Sequence, residues 1–567
     1  MKRREQSQTE QLRRALAERE AQLQEAQARL AALEGSTSLQ VGRALAGAAR
    51  QPARGLVRLP RELYRLWRGS GRSADPAAGP RGRAPEPVRS YEAERQEARL
   101  LAGQPAFGDD RIVVAGVLSA EARAALEPYA RVIPLRPHDV QVVFDSADVD
   151  LVLVTASATR PGTPWAHLGD PAAVDRTRAL RWVLEAASAR GVASILVRDA
   201  PAPPALAGLG FDHVHDGDLG VPLHRYHPIA AEPERASGPV RVCGTGRPPH
   251  PLVAGGGDVL HADVRWEDLP DVLRTAAVAV VDTPALADRA LACGARVLLA
   301  DGSPGPGLPA TAARAATGDT DLARAVAEGP LTPGELRLAL RSLFLTRATP
   351  VLLTELLGRV RLLPGGGSRT QPLAGRDVAV LACPLDDTES LALADDMLRQ
   401  RHQPAEIVVP ASRADFAGVE RLRAHGLTVR AVAAADPAQR WSPAEWARLA
   451  AAATTPWTAL WDRPSGAAFL VDALCAAECS GADAVGAAVA TAGGAEDGSD
   501  RDSDLGWAAA GQEYVFVNEV RPVLARRALV RRGLHPGVWS RHGARLLALG
   551  DLRPTGHDTA PDHAHVG

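Results

Sequence analysis

The segment Trp-Thr-Ala-Leu-Trp-Asp-Arg-Pro at residues 457–464 decides how the last third of this chain is interpreted. It opens with aromatic, β-branched and aliphatic residues that predict a short buried strand, and the strand ends in one carboxylate, Asp462. Hard divalent cations need several oxygen ligands, so a metal site at such an edge requires a cluster of carboxylates. Arg463 and Pro464 stand here instead, and we therefore predict an α/β fold without metal chemistry.

The composition is that of a globular protein with several domains. The chain has 567 residues, of which 46% are apolar and 23% charged, and this length exceeds what one core supports. The net charge of −2 is uneven, because residues 1–90 carry a net of +9 and the remainder −11. A general nucleic-acid-binding protein would be basic throughout, and this chain is not, so nucleic acid is not an expected partner.

The cysteines predict neither disulfides nor a zinc site. They are odd in number, scattered and set in apolar surroundings, and only Cys475 and Cys479 lie one helical turn apart, without a matching pair. Such thiols suit a reducing compartment. There is no signal peptide and no apolar run of the ~18 residues that a membrane span needs, so we expect a cytoplasmic protein.

Two amphipathic segments precede the α/β region. Residues 3–34 place Leu16, Leu23 and Leu30 seven positions apart, which is typical of a short coiled coil joining two copies or docking a partner helix. A single solvated helix is the alternative. Residues 39–68 alternate arginines with Leu, Tyr and Trp, which favours peripheral contact with an anionic membrane surface over packing on the protein's own body.

From Arg111 onward, short β-branched runs alternate with Ala- and Leu-rich helices, the pattern of parallel sheets. We predict two Rossmann-like lobes with a ligand cleft between them, then a third α/β domain. The first strands are predicted near residues 111–118, 150–155 and 193–198. The predicted divisions are a coiled-coil helix (1–35), a basic amphipathic segment (36–70), a linker (71–105), lobe 1 (106–238), lobe 2 (239–362), a linker (363–375), the third domain (376–550) and a disordered tail (551–567).

Three segments of the third domain carry a family resemblance: Val-Ala-Val-Leu at 378–381, Leu-Arg-Gln-Arg-His-Gln-Pro-Ala-Glu-Ile-Val-Val at 398–409 and Thr-Thr-Pro-Trp-Thr-Ala-Leu-Trp-Asp at 454–462. In this order they resemble the family-two glycosyltransferases of the GT-A fold. The resemblance implies that Asp462 stands where that family holds a metal on paired aspartates, with Arg463 able to replace the metal's charge. The alternative is that Asp462 caps a helix in an inactive domain.

The two lobes carry a second resemblance. Val-Pro-Leu-His-Arg-Tyr-His-Pro at 221–228 and Arg-Ala-Leu-Ala-Cys-Gly-Ala-Arg-Val-Leu-Leu at 289–299 resemble the domain crossover and the donor-site helix and strand of CgeB-like glycosyltransferases of the GT-B fold. In that group the position aligned with Arg289 is a glutamate that binds the donor's ribose, and this chain has arginine. The basic segment at its N-terminus is similar to segments that precede actinobacterial cell-surface sugar transferases.

The remaining candidate residues each have a structural alternative. Gly244 and Gly246 are predicted in a turn where backbone N–H groups meet a phosphate, or in an ordinary tight turn. Arg289 is predicted to contact a donor diphosphate, or to pair with Asp282 or Asp288. Asp386 and Asp387 are predicted to cap a helix rather than bind metal. His224 and His227 are predicted to pack at the crossover rather than to act as acid or base.

Together these residues support two functional hypotheses. The first is a glycosyltransferase that moves a sugar from a nucleotide-sugar donor to a cell-surface glycan or polymer, without a cofactor or divalent metal. The second is a non-catalytic glycosyltransferase-like scaffold or sugar-binding protein, which the missing carboxylates favour. A dinucleotide oxidoreductase is not expected, because the chain has no glycine fingerprint followed by an acidic residue ~20 positions later.

Overall fold

A computed structural model describes residues 110–229, 242–245, 259–261, 265–299, 312–315, 319–362, 371–433, 442–462, 464–488 and 514–549. The predicted coiled coil, the basic amphipathic segment, Gly246 and Arg463 lie outside these residues. Within the stretches that the structure describes, no helix is both long enough and apolar enough to cross a bilayer.

Lobe 1 is a five-stranded parallel sheet in the order β2-β1-β3-β4-β5. β1 and β3 consist almost wholly of buried Val, Ile, Leu and Ala, as expected for strands covered on both faces. The elements are β1 (Ile112–Val117), α1 (Ala120–Leu126), β2 (Ala130–Pro134), α2 (Val140–Ser146), β3 (Leu151–Thr155), α3 (Val174–Ala189), β4 (Ala193–Arg198), α4 (Pro204–Ala207) and β5 (His213–Asp216).

Lobe 2 repeats this topology, with a parallel sheet in the order β10-β9-β8-β6-β7. In both lobes the order reverses between the first and third strands, and open α/β sheets bind ligands beside such a point at the carboxyl ends of the strands. The elements are β6 (Val242–Thr245), β7 (Val259–His261), α5 (Leu269–Thr275), β8 (Val278–Val281), α6 (Pro284–Ala292), β9 (Arg296–Leu299), β10 (Ala313–Ala315), α7 (Asp319–Glu328), α8 (Pro333–Thr346) and α9 (Thr349–Arg359).

The closing helices tie lobe 2 back to lobe 1. The segment Thr-Pro-Gly-Glu at 332–335 forms a capping box that starts α8, since the Thr332 hydroxyl and the Glu335 carboxylate satisfy each other's backbone N–H groups. α9 then packs Leu353, Leu356 and Leu357 into the core of lobe 1. The chain crosses between the lobes once before this helix and returns with it, so the two lobes share a hydrophobic contact.

The third domain has an eight-stranded mixed sheet in the order β13-β12-β11-β14-β17-β15-β18-β16. β11 to β14 are parallel, and β17 runs antiparallel between β14 and β15. The elements are β11 (Val378–Ala382), α10 (Asp387–Arg399), β12 (Glu406–Pro410), α11 (Ala417–Ala424), β13 (Val429–Val432), α12 (Pro443–Ala452), β14 (Trp457–Trp461), α13 (Phe469–Ser480), β15 (Ala484–Ala488), β16 (Val515–Val517), β17 (Val520–Arg526), α14 (Arg527–Val530) and β18 (Leu546–Ala548).

Lobe 2 and the third domain are joined by one continuous hydrophobic core, in which Leu340 and Phe344 of α8 belong to the same cluster as Leu474 of α13. One bidentate ion pair crosses this contact, and a second lies beside it within the third domain. Arg341 donates to both carboxylate oxygens of Asp472 at 2.8 Å each. Arg376 donates to both oxygens of Glu478 at 2.7 and 2.9 Å, and its guanidinium stacks 3.6 Å from the centre of the Phe344 ring.

Lobe 1 contributes to the same contact, because the hydroxyl of Tyr129 donates to Glu478 at 3.0 Å. Burial, followed by the charge of Glu478, raises the pKa of Tyr129 well above its ordinary value, so this phenol is protonated at all physiological pH values. A chain of contacts therefore runs from lobe 1 through Glu478 to Arg376 and lobe 2. The described α/β region therefore belongs to one compact unit, in which all three lobes are in contact.

Candidate functional site

Asp462 lies at the carboxyl edge of the mixed sheet, directly after β14. Its carboxylate accepts a hydrogen bond from the guanidinium of Arg521 in β17. The antiparallel register explains this contact, because Trp457 faces Arg526 and the same pairing continued along β14 brings position 462 opposite position 521. The two side chains are 38% and 42% exposed, so the ion pair faces solvent.

A divalent cation does not fit this arrangement. One carboxylate supplies too few oxygen ligands, and the guanidinium bonded to it would repel a cation. Among the described residues there is no group of three or more His, Cys, Asp or Glu side chains arranged to hold a metal ion.

A buried carboxylate that sequence reasoning missed, Asp396 of α10, holds the loop after Asp462 in place. It accepts hydrogen bonds from the indole N–H of Trp461 at 2.9 Å, from the backbone and hydroxyl of Ser465 at 3.0 Å each, and from the backbone of Gly466 at 3.2 Å. Four donors satisfy a fully buried charge. The only sequence signal was an aspartate on the apolar face of an amphipathic helix.

The neighbouring acidic pair is structural, as predicted. Asp386 is the N-cap of α10, and its side chain accepts the backbone N–H of Glu389 at 2.9 Å. Asp387 accepts the backbone N–H of Ala417 at 2.8 Å and so fastens the start of α11. Neither carboxylate turns toward Asp462 to complete a pair of metal ligands.

Arg289 lies in α6 at the contact between the two lobes. Its guanidinium pairs with Glu121 of α1 at 3.1 Å and with Asp218 at 3.3 Å, both from the lobe 1 side. Burial disfavours its charge, but these two carboxylates raise the pKa of Arg289 above the ordinary arginine value. Arg289 thus forms structural ion pairs, but with Glu121 and Asp218 rather than with Asp282 or Asp288. Asp288 accepts a hydrogen bond from Arg347 at 3.0 Å.

The contact around Arg289 is a network rather than a single pair. The hydroxyl of Tyr226, in the crossover, lies 3.4 Å from the same oxygen of Glu121 that Arg289 contacts, and the guanidinium lies 5.6 Å from the centre of its ring. The carboxyl edge of lobe 1 adds an internal tie, since Ser157 donates to Asp199 through its backbone N–H at 2.8 Å and its hydroxyl at 2.5 Å. Most of these groups pair with each other within the protein, whereas the Nε atom of Arg289 is buried without a hydrogen-bond partner in the described part of the chain.

Gly244 does not lie in a turn. It sits inside β6, where it pairs with His261 of β7 on one side and Val280 of β8 on the other. The strand continues to Thr245, which pairs with Val281 of β8, and the predicted Gly-Thr-Gly turn at 244–246 is therefore wrong at its first residue.

His224 and His227 pack at the crossover, and the Nδ1 atom of each is buried without a hydrogen-bond partner in the described part of the chain. Arg274 holds this segment by donating to the backbone carbonyl of His227 at 3.0 Å. Burial, followed by the charge of Arg274, lowers the pKa of His227 to about 4. Burial likewise lowers the pKa of His224.

Because the folded state resists protonation of His227, we expect acid to weaken the fold. The free energy of unfolding keeps its full value above pH ~6.5, the pKa of an unfolded histidine. It decreases as the pH falls toward about 4, the pKa of His227 in the folded state. Urea titrations at pH 7.5 and 4.5 should show a loss of up to about 3 kcal/mol that His227→Gln reduces. The matched variant His138→Gln, at an exposed histidine, should keep the full loss, and equal pH dependence in both variants would contradict this assignment.

The amino edge of the mixed sheet, opposite Asp462, has an open groove of about 620 Å³. It is bounded by the segment before β11, by the first residues of β12 and β13, and by the turn before β14. Its charged lining residues are Asp377, Glu406, Arg430 and Arg527. Sequence reasoning missed the groove, because these four residues lie in separate segments that only the sheet order brings together.

Comparison with known proteins adds no family to these observations. No protein-family model matches the chain, and no curated protein matches it.

Proposed function

We propose that this chain is a non-catalytic, glycosyltransferase-like scaffold that binds a cell-surface glycan or glycopolymer. The observation that carries the proposal is that two of the three charged groups expected to serve a nucleotide-sugar donor, Arg289 and Asp462, are paired with other side chains of this chain. Arg289 is held by Glu121 and Asp218, and Asp462 is held by Arg521. A leaving diphosphate needs positive charge that is free to receive it.

The energetics of the lobe contact argue against a donor diphosphate at Arg289. Releasing this guanidinium to a diphosphate would leave Glu121 and Asp218 without their partner, and the Asp218 side chain is only 14% exposed. Removing one partner of a largely buried pair costs about 3–5 kcal/mol, which a donor would have to offset before any chemistry began.

The folds support the resemblance on which the proposal rests. Two parallel sheets of identical strand order with a returning C-terminal helix are what the GT-B resemblance implies for the lobes. A mixed central sheet, with β14 leading to Asp462, is what the GT-A resemblance implies for the third domain. One fold can carry many different activities, so the proposed function depends on the paired charges rather than on the fold.

The partners and the setting are part of the same proposal. We place the protein in the cytoplasm, at the inner face of the membrane, with the basic segment at residues 39–68 on anionic lipid and residues 3–34 joining a second copy or a partner helix. The acceptor is a glycan or glycopolymer, and neither a cofactor nor a nucleic acid is involved.

A second candidate is an active, metal-independent sugar transferase, with Gly244, Gly246, Arg289 and Arg463 at the donor. One observation favours it: Asp462 keeps 38% of its side chain exposed at the carboxyl edge of the sheet, beside the guanidinium of Arg521. A carboxylate that solvent reaches is able to accept a proton, and an adjacent arginine is able to meet a phosphate.

Turnover and binding assays separate the two candidates. With a panel of uridine, guanosine and thymidine diphosphate sugars, with and without chelator, we expect saturable binding but turnover at least about 10⁴-fold below the usual ~10 s⁻¹ of enzymes. Turnover that Asp462→Asn abolishes would establish the third domain as an active transferase, and turnover that Arg289→Ala abolishes would establish the lobes. Asp415→Asn, at an exposed carboxylate in the same domain, is the control.

A further inference from the structure

In the groove at the amino edge of the mixed sheet, the charges of Glu406 and Arg430 neutralise each other. Glu406, at the start of β12, accepts the backbone N–H of Thr454 at 2.5 Å, its hydroxyl at 3.0 Å and the backbone N–H of Thr455 at 3.2 Å. The guanidinium of Arg430 pairs with its other oxygen. Burial raises the pKa of Glu406, but these hydrogen bonds outweigh burial and lower it below the ordinary glutamate value.

Two other charged side chains of the groove, Asp377 and Arg527, form no ion pair within the described ranges. The Asp377 carboxylate has neither an ion pair nor a side-chain hydrogen bond within the described ranges. The guanidinium of Arg527 donates one hydrogen bond to the carbonyl of Ala453 at 2.6 Å and forms no ion pair in the same part of the chain. The groove therefore presents a spare acceptor and spare donors.

The balance of charge decides which ligands the groove accepts. The four charged lining residues sum to zero, so a phosphate or carboxylate ligand meets Asp377 and Glu406, and an ammonium ligand meets Arg430 and Arg527. A sugar hydroxyl both donates and accepts, so it is satisfied by a carboxylate on one side and a guanidinium on the other. The hydroxyls of Thr428 and Thr454 extend this mixed lining.

We propose that this groove binds a segment of a neutral oligosaccharide, at a site remote from Asp462. Its volume of about 620 Å³ lies in the range of small-molecule sites and suits two or three sugar rings. The proposal rests on the proposed scaffold function and names the substrate class and the surface that performs it. The glycan is held at the opposite edge of the sheet from the position that the family uses for its donor.

Gly375 gives the sharpest test, because a Cβ built there meets no atom within 4 Å. Gly375→Phe therefore adds a ring to the lining of the groove, and its Cβ meets no backbone atom. The probes are neutral trisaccharides of glucose, galactose, mannose and arabinose, titrated calorimetrically into the full chain. We expect at least one to bind with a dissociation constant of about 1 mM or below and Gly375→Phe to weaken it at least about tenfold. Gly334→Phe, at an open exposed glycine of α8, is the control and should bind normally.

Charge variants make the assignment specific. Asp377→Asn and Arg527→Gln should each weaken the same trisaccharide about three- to tenfold, since each removes a charged hydrogen-bonding group. A trisaccharide of glucuronic acid should bind at least about tenfold more weakly than its neutral counterpart.

The outcomes separate this inference from the proposed function. Trisaccharide binding that Gly375→Phe and Asp377→Asn leave unchanged overturns the groove assignment while leaving the scaffold function in place. Absence of trisaccharide binding overturns the groove assignment, and the scaffold function is then judged by the nucleotide-sugar assays alone. Efficient sugar transfer with intact groove binding overturns only the non-catalytic function.

Discussion

Asp472→Asn should destabilise the described α/β region by about 3–5 kcal/mol. Asp472 is 6% exposed and receives two hydrogen bonds from Arg341, itself 8% exposed, at the contact between lobe 2 and the third domain. The substitution keeps the shape of the side chain and removes its charge, so the buried guanidinium of Arg341 loses the counter-ion that Asp472 supplies. The measurement is urea unfolding at pH 7.5, followed by tryptophan fluorescence.

The matched control is Asp175→Asn in α3. Asp175 also pairs with an arginine, Arg178, at 3.3 Å, but the side chains are 95% and 74% exposed. Solvent screens such a pair, and its loss should cost less than about 0.5 kcal/mol. Equal effects of the two substitutions would show that the contact between lobe 2 and the third domain does not hold the Asp472 pair out of water.

Gly418→Ala adds a single methyl group and should lower the free energy of unfolding by about 3 kcal/mol or more, the largest effect expected of such a change in the third domain. A Cβ at Gly418, in the first turn of α11, would lie 1.8 Å from the carbonyl oxygen of Ser390 in α10. The two helices approach so closely that the backbone N–H of Gly418 donates to the Ser390 hydroxyl at 3.1 Å. Backbone rather than a flexible side chain is in the way, so the helices must separate.

Gly334→Ala serves as the control, since a Cβ at that helical position meets no atom within 4 Å. It should leave stability unchanged or raise it by up to about 1 kcal/mol, because alanine favours helix over glycine. Thermal unfolding of both variants gives the comparison. A Gly418→Ala protein that unfolds like the parent would mean that α10 and α11 do not touch as described.

The positions of strands with unbroken apolar runs were predicted correctly from the sequence. The strands predicted near residues 111–118, 150–155 and 193–198 are observed at Ile112–Val117, Leu151–Thr155 and Ala193–Arg198. β2 (Ala130–Pro134) was missed, because it is the edge strand of lobe 1 and only partly buried, so its sequence carries no continuous apolar run.

The candidate sites were less predictable. Asp462 was placed correctly at the end of β14, since a strand end is a local property of the sequence. Its partner Arg521 lies 59 positions later in the chain and reaches it only through the antiparallel pairing of β14 and β17. Arg289 was a candidate from the sequence, but its observed partners Glu121 and Asp218 belong to the other lobe, and no spacing rule connects them to α6.

Hydrophobic periodicity and residue order are local properties of the chain, and they were enough to predict the alternation of strands and helices, the α/β class and the single carboxylate at Asp462. Which charges meet depends on the folded chain. The pairs Arg289 with Glu121, Asp462 with Arg521 and Arg341 with Asp472, and the groove beside Asp377, all depend on strand order and on lobe packing. Electrostatic contacts act over a few ångströms of space, whereas their partners stand tens to hundreds of residues apart in the chain.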